Sequence, residues 1–137
     1  MADFNTSMAV AASGLQAQSE RMKTIAENIA NANSAASTAG GDPYRRKIPT
    51  VTTNFDRELN ATLVKSGQPI ADQSEFRTQY DPGNPNADAK GYVKMPNVNS
   101  LIEIMDMREA QRSYEANLSV MDATKGMMSK TVDLLKK

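Results

Sequence analysis

The residues best placed to do chemistry lie at 80–99, YDPGNPNADAKGYVKMPNVN, where Asp81, Asn84, Asn86 and Asp88 fall within eight positions among prolines and glycines. Oxygen-bearing side chains at that density are what a calcium loop requires. Setting Asn84, Asn86 and Asp88 on the first three ligand positions of an EF-hand loop puts Ala89 where a glycine must turn the chain. It also puts Met95 where a bidentate glutamate must close the shell. The match fails at both positions. Pro82-Gly83 and Asn84-Pro85 are turn dipeptides, and Pro96 imposes an extended approach to whatever follows. The stretch therefore reads as a bend, with Asp and Asn chosen because short polar side chains hydrogen-bond a turning backbone.

A second cluster, Glu103, Asp106 and Glu109, has the carboxylates of a general acid/base pair but carries Arg108 and Arg112 beside them. This pattern reads as a solvated, salt-bridged helix face. The basic run Tyr44-Arg45-Arg46-Lys47 is too short and too isolated for a nucleic-acid patch; it reads either as an inter-subunit contact or as plain exposed surface. Histidine and cysteine are both absent, which removes the usual general base, the thiol nucleophile, the disulfide and the commonest metal ligands. No phosphate loop, dinucleotide fingerprint, nucleophile elbow or Ser-x-x-Lys pair occurs. The expectation is a non-enzymatic protein with no catalytic residue, cofactor, metal or small-molecule substrate.

The elements follow from proline. All six prolines, at 43, 49, 69, 82, 85 and 96, lie in the middle of the chain, and each would cost a helix interior about 3 kcal/mol. Both ends are free to be long helices. From Asp3 to about Asn31, Met8, Leu15, Met22 and Ile29 recur every seven residues, with Phe4, Ala11 and Ile25 as the companion line and Gln18 its lapse. Such a helix is about 43 Å long. From Ser100 to about Lys136, Met107, Tyr114, Met121, Met128 and Leu135 form one line. Ile104, Leu118 and Val132 form its companion, interrupted by Gln111 and Lys125. Ser100 with Glu103 resembles a capping box that starts this helix. Gly14 and Gly126 sit inside the helices, where each costs about 1 kcal/mol against alanine; a close backbone approach and simple tolerance both account for them.

Between the helices, NANSAASTAGGD reads as a flexible connector. Alternation at Val51, Thr53 and Phe55 and at Phe76, Thr78 and Tyr80 predicts short half-buried strands, with Leu63 and Val64 in another. Ser66 to Pro69 reads as a turn. The expected fold class is mainly α: long N- and C-terminal helices pairing as a coiled-coil-like layer, with an irregular, short-stranded middle. The segments are 1–33, 34–99 and 100–137.

Composition bounds the partners. The 137 residues hold 5% aromatics, no tryptophan and nine methionines, so no large aromatic core is available and methionine fills part of that role. Sixteen basic residues balance sixteen acidic ones, which speaks against nucleic acid and against a polybasic membrane anchor. The start, MADFNTSMAV, has neither a basic n-region nor a long apolar run, so no cleavable signal and no membrane-spanning helix is expected. Packing the two seams together buries each on one side only. Anchors worth about 1.5–3 kcal/mol each when fully buried then stay half wet, which points to lateral association with further chains.

The letters themselves carry a resemblance. ASGLQAQSERMKTIAENIANANS (12–34) resembles the N-terminal helix motif shared by the rod, hook and hook-associated proteins of the bacterial flagellum. DPYRRK (42–47), DPGNPNADAKGYVKMPNVN (81–99) and RSYEANLSVMDATKGMMSKTVDLL (112–135) are similar to the family's proximal-rod members. Distal-rod and hook proteins are similar at the ends but much longer and lack the 81–99 block, and the resemblance is weak from about 48 to 79.

The motif positions are Asn28, Ala30, Asn31 and Asn33 at the first helix end, then Tyr44 and Arg45. In the 81–99 block they are Asp81, Pro82, Gly83, Asn84, Pro85, Gly91, Tyr92, Val93, Pro96, Asn97 and Val98. Tyr114, Ala116 and Asn117 follow in the last helix.

The resemblance implies a subunit of the proximal rod, exported by the flagellar type III apparatus without a cleaved signal. Such subunits assemble in the periplasm with copies of themselves and with other proximal- and distal-rod proteins into a hollow drive shaft that transmits torque. The terminal helices would form the inner layer, and Gln18, Gln111 and Lys125 would fix register at some cost in stability. Packing and inter-subunit contact are expected from Phe4, Met8, Leu15, Met22, Ile25, Ile29, Ile104, Met107, Tyr114, Leu118, Met121, Met128, Val132 and Leu135. The alternative is a soluble coiled-coil adaptor or secretion chaperone that forms no filament.

Overall fold

A computed structural model describes residues 2–137. Two long helices flank a middle of short antiparallel strands: α1 (Ala2–Ala30), β1 (Lys47–Ile48), β2 (Val51–Asp56), β3 (Ala61–Ser66), β4 (Ile70–Ala71), β5 (Arg77–Tyr80), β6 (Tyr92–Met95) and α2 (Ser100–Leu135). The strands form three separate two-stranded pairs, β1 with β4, β2 with β3 and β5 with β6. No helix among the described residues is long and apolar enough to cross a membrane.

The chain divides into two units, each drawing on both helices. One takes α1 up to Met22, Thr50–Gln68 and Arg108–Lys137; the other takes Lys23–Pro49 and Pro69–Met107.

In the first unit the helices run antiparallel, with Gly14 beside Asn117 and Arg21 paired to Glu109 at 3.7 Å. The residues hidden here are small: Ala11, Ala17, Ala110 and Thr124 are all nearly inaccessible. Small side chains let two helix axes approach closely, and Gly14 faces Asn117 of α2. A Cβ there would lie 2.7 Å from Nδ2 of Asn117, so a close neighbour, here a side chain, accounts for this glycine. Nothing lies within 4 Å of a Cβ built on Gly126. The β2–β3 hairpin pairs from Val51↔Ser66 to Asp56↔Ala61. Asp56 Oδ1 accepts from the backbone N–H of Glu58 and Leu59 at 2.9 and 3.1 Å, and Asn60 closes the turn at φ 49°, a conformation asparagine tolerates. The hairpin is tied to α1 by the Val64 N–H, which donates to Ser13 Oγ at 3.2 Å.

In the second unit α1 ends in a turn over 31–33. Asn31 holds it by donating from Nδ2 to the Glu27 carbonyl at 2.9 Å and accepting from Ser34 Oγ at 3.0 Å. Ala32 and Ala36, in the Ala/Ser/Asn connector, are buried and join Ile25, Val93, Pro96 and Val98 in a small core. The 81–91 stretch is the loop of the β5–β6 hairpin. Asp81 N–H donates to the Gly91 carbonyl and Asp88 N–H to that of Tyr92, both at 2.9 Å. Asp88 Oδ1 accepts from the N–H of Lys90 and Tyr92 at 2.8 and 2.9 Å. The backbone donor of Tyr92, with that of Lys90, holds the Asp88 carboxyl below the usual carboxylate range. Gly91 has φ +85° and lies beneath Tyr80 and Pro82, where Tyr80 and Tyr92 meet edge to face at 5.2 Å.

Helix α2 begins at Ser100 as the sequence predicts, but its cap is a different residue. Asn99 Oδ1 accepts from the N–H of Leu101 and Ile102 at 3.1 and 3.4 Å, as an N-cap side chain does. Glu103 is turned away from the cap toward the interior.

Candidate functional site

Glu103 is 1% exposed and Asn28 fully buried. Their meeting point, where the end of α1 faces the start of α2, is the most unusual chemistry in the fold. The sequence reading of Glu103 as part of a solvated face is corrected here, and so is the surface reading of the basic run, because Arg46 reaches back to it. The Arg46 guanidinium hydrogen-bonds Glu103 Oε1 through Nε, pairs with Asp72 at 3.2 Å through Nη1 and lies 3.9 Å from Asp106 through Nη2. One cation thus faces three carboxylates.

Asn28 uses its whole hydrogen-bonding capacity in this knot. Its Nδ2 donates to the Lys47 carbonyl at 2.8 Å and to Glu103 Oε2 at 3.3 Å. Its Oδ1 accepts from Tyr44 Oη at 2.8 Å and from the Lys47 N–H at 2.9 Å. An asparagine amide has two donors and two acceptor lone pairs, and all four are matched. The Lys47 peptide is gripped from both sides, which anchors 44–47 to the helix. The Lys47 ammonium adds a partly exposed pair to Glu27 at 3.2 Å.

Around the knot, polar side chains hold backbone. Arg46 N–H donates to Asn97 Oδ1 at 2.7 Å, and Asn97 Nδ2 donates to the carbonyls of Asp72 and Ser74, both at 3.1 Å. Arg45 donates to the Asp72 carbonyl at 2.7 Å and stacks over Phe76 at 4.2 Å. Burial, then the nearby charges of Glu27 and Glu103, push the Tyr44 hydroxyl above the ordinary tyrosine range, so it stays a donor at neutral pH. Burial opposes the charge on Arg46, but the hydrogen bond and charge of Glu103, with those of Asp72, outweigh it and raise its affinity for the proton. Backbone and side-chain donors of Ser74, then Arg46, hold the Asp72 carboxyl low.

A cavity of about 230 Å³ opens beside the knot, lined by Arg46, Asp72, Asn97, Asn99, Ile102 and Glu103. Among the described residues no group of histidine, cysteine, aspartate and glutamate could hold a metal ion.

The other residues singled out in the sequence are spread along the fold. Ile25 is buried; Phe4, Met8, Leu15, Met22, Ile29, Met107, Tyr114, Met121 and Met128 are half-buried; Ile104, Leu118, Val132 and Leu135 are exposed. Asp81, Pro82, Gly83, Asn84, Pro85 and Gly91 build the hairpin loop, and Tyr92 opens β6 opposite Tyr80. Val93, Pro96 and Val98 are core, and Asn33 is exposed. The residues that sequence reasoning missed are Arg46, Asp72 and Glu103 as partners. One signal was available: Glu103, Ala110, Asn117, Thr124 and Thr131 recur every seven residues as a small or polar line, the face that α2 hides.

Beyond the inward-pointing Glu103, the first turns of α2 expose Leu101, Ile102, Ile104 and Met105, the first of them by 68%. The charge is inside and the apolar groups are outside, the reverse of a globular surface helix.

Family models match at both ends of the chain: one described as flagella basal body rod protein over residues 8–35, and one as flagellar basal body rod FlgEFG protein C-terminal over 89–134. The chain is 51% identical to the flagellar basal-body rod protein FlgC of Agrobacterium fabrum, covering 93% of this chain and 91% of that protein. It is 43% identical to the Escherichia coli protein of that name, over 91% and 92%. To the Bacillus subtilis one it is 39% identical, over 93% and 95%.

Proposed function

The chain belongs to the flagellar basal-body rod protein family, and on that premise we propose that it is a structural subunit of the proximal rod. It associates with its own copies and with the other rod proteins through the terminal helices, building a hollow shaft that passes torque from the basal body outward. It reaches the periplasmic space through the flagellar type III export apparatus.

The observation that carries this reading is identity of 39–51% over more than nine-tenths of the chain to proteins bearing the rod-protein name. The exposed Leu101, Ile102, Ile104, Met105, Leu118 and Val132 support it, because large apolar side chains gathered on a helix surface in water call for cover by another chain. Torque loads side-by-side helices in shear, and interlocking side chains resist sliding.

The test is genetic and biochemical. A strain lacking the protein should be non-motile, plasmid-borne protein should restore swimming, and the protein should co-purify with detergent-resistant basal bodies. Recovery of all the protein in the soluble fraction of motile cells would overturn the assignment.

A further inference from the structure

The connector from Asp42 to Pro49 crosses the second unit as a strap, and its attachment is unusual in kind. The strap carries no buried large apolar side chain; Pro43 is its one buried residue. What fastens it is a set of polar contacts converging on Asn28, Glu103 and Asn97. These are the two-sided grip on the Lys47 peptide, the Tyr44 hydroxyl on Asn28, the Arg46 guanidinium on Glu103 and the Arg46 N–H on Asn97. The strap in turn holds the next segment. Lys47 and Ile48 pair with Ala71 and Ile70, the Asp72 N–H donates to the Arg46 carbonyl at 2.9 Å, and Arg45 and Arg46 both bind Asp72.

We propose that Asn28, Arg46 and Glu103 form a lock that switches the strap, and residues 69–76 with it, between an engaged and a released state in one cooperative step. Apolar packing weakens gradually as contacts loosen, whereas a buried polar group left without its partner is costly at once. Removing one member therefore unseats the others. Engaged, the strap covers Asn28 and Glu103; released, it gives both to water, where each is satisfied by solvent. The two states differ in who satisfies the buried polar groups.

Position 28 offers a test whose outcome reverses with pH. Asn28→Asp keeps the shape but, ionised, offers no donor to the Lys47 carbonyl and sets a carboxylate against Glu103. The charged and titratable groups around it are Glu27 on α1, Tyr44, Arg46 and Lys47 on the strap, Glu103 and Asp106 on α2, and Asp72. Protonated, the new side chain regains one donor and the clash of charges ends.

Hydrogen exchange on the full-length chain, corrected for the intrinsic pH dependence of exchange, reads the result. At neutral pH, Asn28→Asp should lower protection in peptides covering 42–49 and 69–76 together, by roughly tenfold or more, as expected for an unmatched buried polar group. Peptides covering 108–125 should be unchanged. On acidification through the carboxylate range the variant should regain protection, and the wild type should show no such gain. Glu103→Gln keeps an acceptor but no charge, and should lower protection in the same two segments without recovery in acid. Three results would overturn the lock: strap protection unchanged in Asn28→Asp, loss in 42–49 without 69–76, or equal loss in 108–125 with no recovery in acid.

Discussion

The two units hold a stretch of α1 to a stretch of α2 with opposite materials. In the first, the buried residues are the small Ala11, Ala17, Ala110 and Thr124, with Gly14 against Asn117 and one ion pair, Arg21–Glu109, whose glutamate is exposed. In the second, Asn28 and Glu103 sit at the contact with Arg46 between carboxylates. Small side chains make a contact that is sensitive to volume and indifferent to charge. A buried polar cluster is sensitive to every donor and acceptor and tolerates little chemical change. The same two helices therefore carry two kinds of specificity.

Four substitutions sharpen that contrast. Arg46→Met should have the largest effect, about 3–5 kcal/mol of stability by chemical denaturation, because Glu103 is left as an uncompensated buried charge. A loss under about 1 kcal/mol, the range of an exposed ion pair, would place the second unit's stability in its apolar core. Gly14→Ala comes next, with a net loss of about 1 kcal/mol: crowding against Asn117, which costs about 1–3 kcal/mol, outweighs the gain in helix propensity. Adding Asn117→Ala should restore stability, and the double-mutant cycle measures how much of the cost was that contact.

Asp72 gives a pH signature. Its folded-state carboxyl is held low, so its contribution is present above the unfolded carboxylate value near ~4. That contribution is lost as pH falls through the lower folded value. Denaturation midpoints should fall in acid less steeply for Asp72→Asn than for wild type. Arg21→Ala should be the mildest change, under about 1 kcal/mol and smaller still at high salt, since Glu109 is 70% exposed.

Both helices were legible because proline placement and seven-residue spacing are local signals. Strand β2 was legible from alternation at Val51, Thr53 and Phe55, although these residues are exposed instead of half-buried and their pairing with β3 was not legible. The bend at 81–91 followed from its turn dipeptides and from Asp and Asn side chains suited to backbone. The two-residue strands β1 and β4 were not legible, because nothing in KI or IA distinguishes them until Arg46 and Asp72 are brought together. The knot was hidden for the same reason: Asn28, Arg46, Asp72 and Glu103 are far apart in the chain, and a charged residue is ordinarily assigned to the surface. Large apolar residues also drew attention from the small ones. Ile104, Leu118 and Val132 stand out in the sequence, whereas Glu103, Ala110, Asn117 and Thr124 line the hidden side of α2.

The inside-out opening of α2 separates two tasks that most helices must perform with one set of residues. Because Glu103 and the Asn99 cap hold that turn from the inside, Leu101, Ile102 and Met105 are largely excused from holding the monomer together. Substitutions there change folding little, within about 0.5 kcal/mol, and are free to drift with whatever surface they meet. Selection can thus retune who the molecule sticks to without endangering the molecule itself.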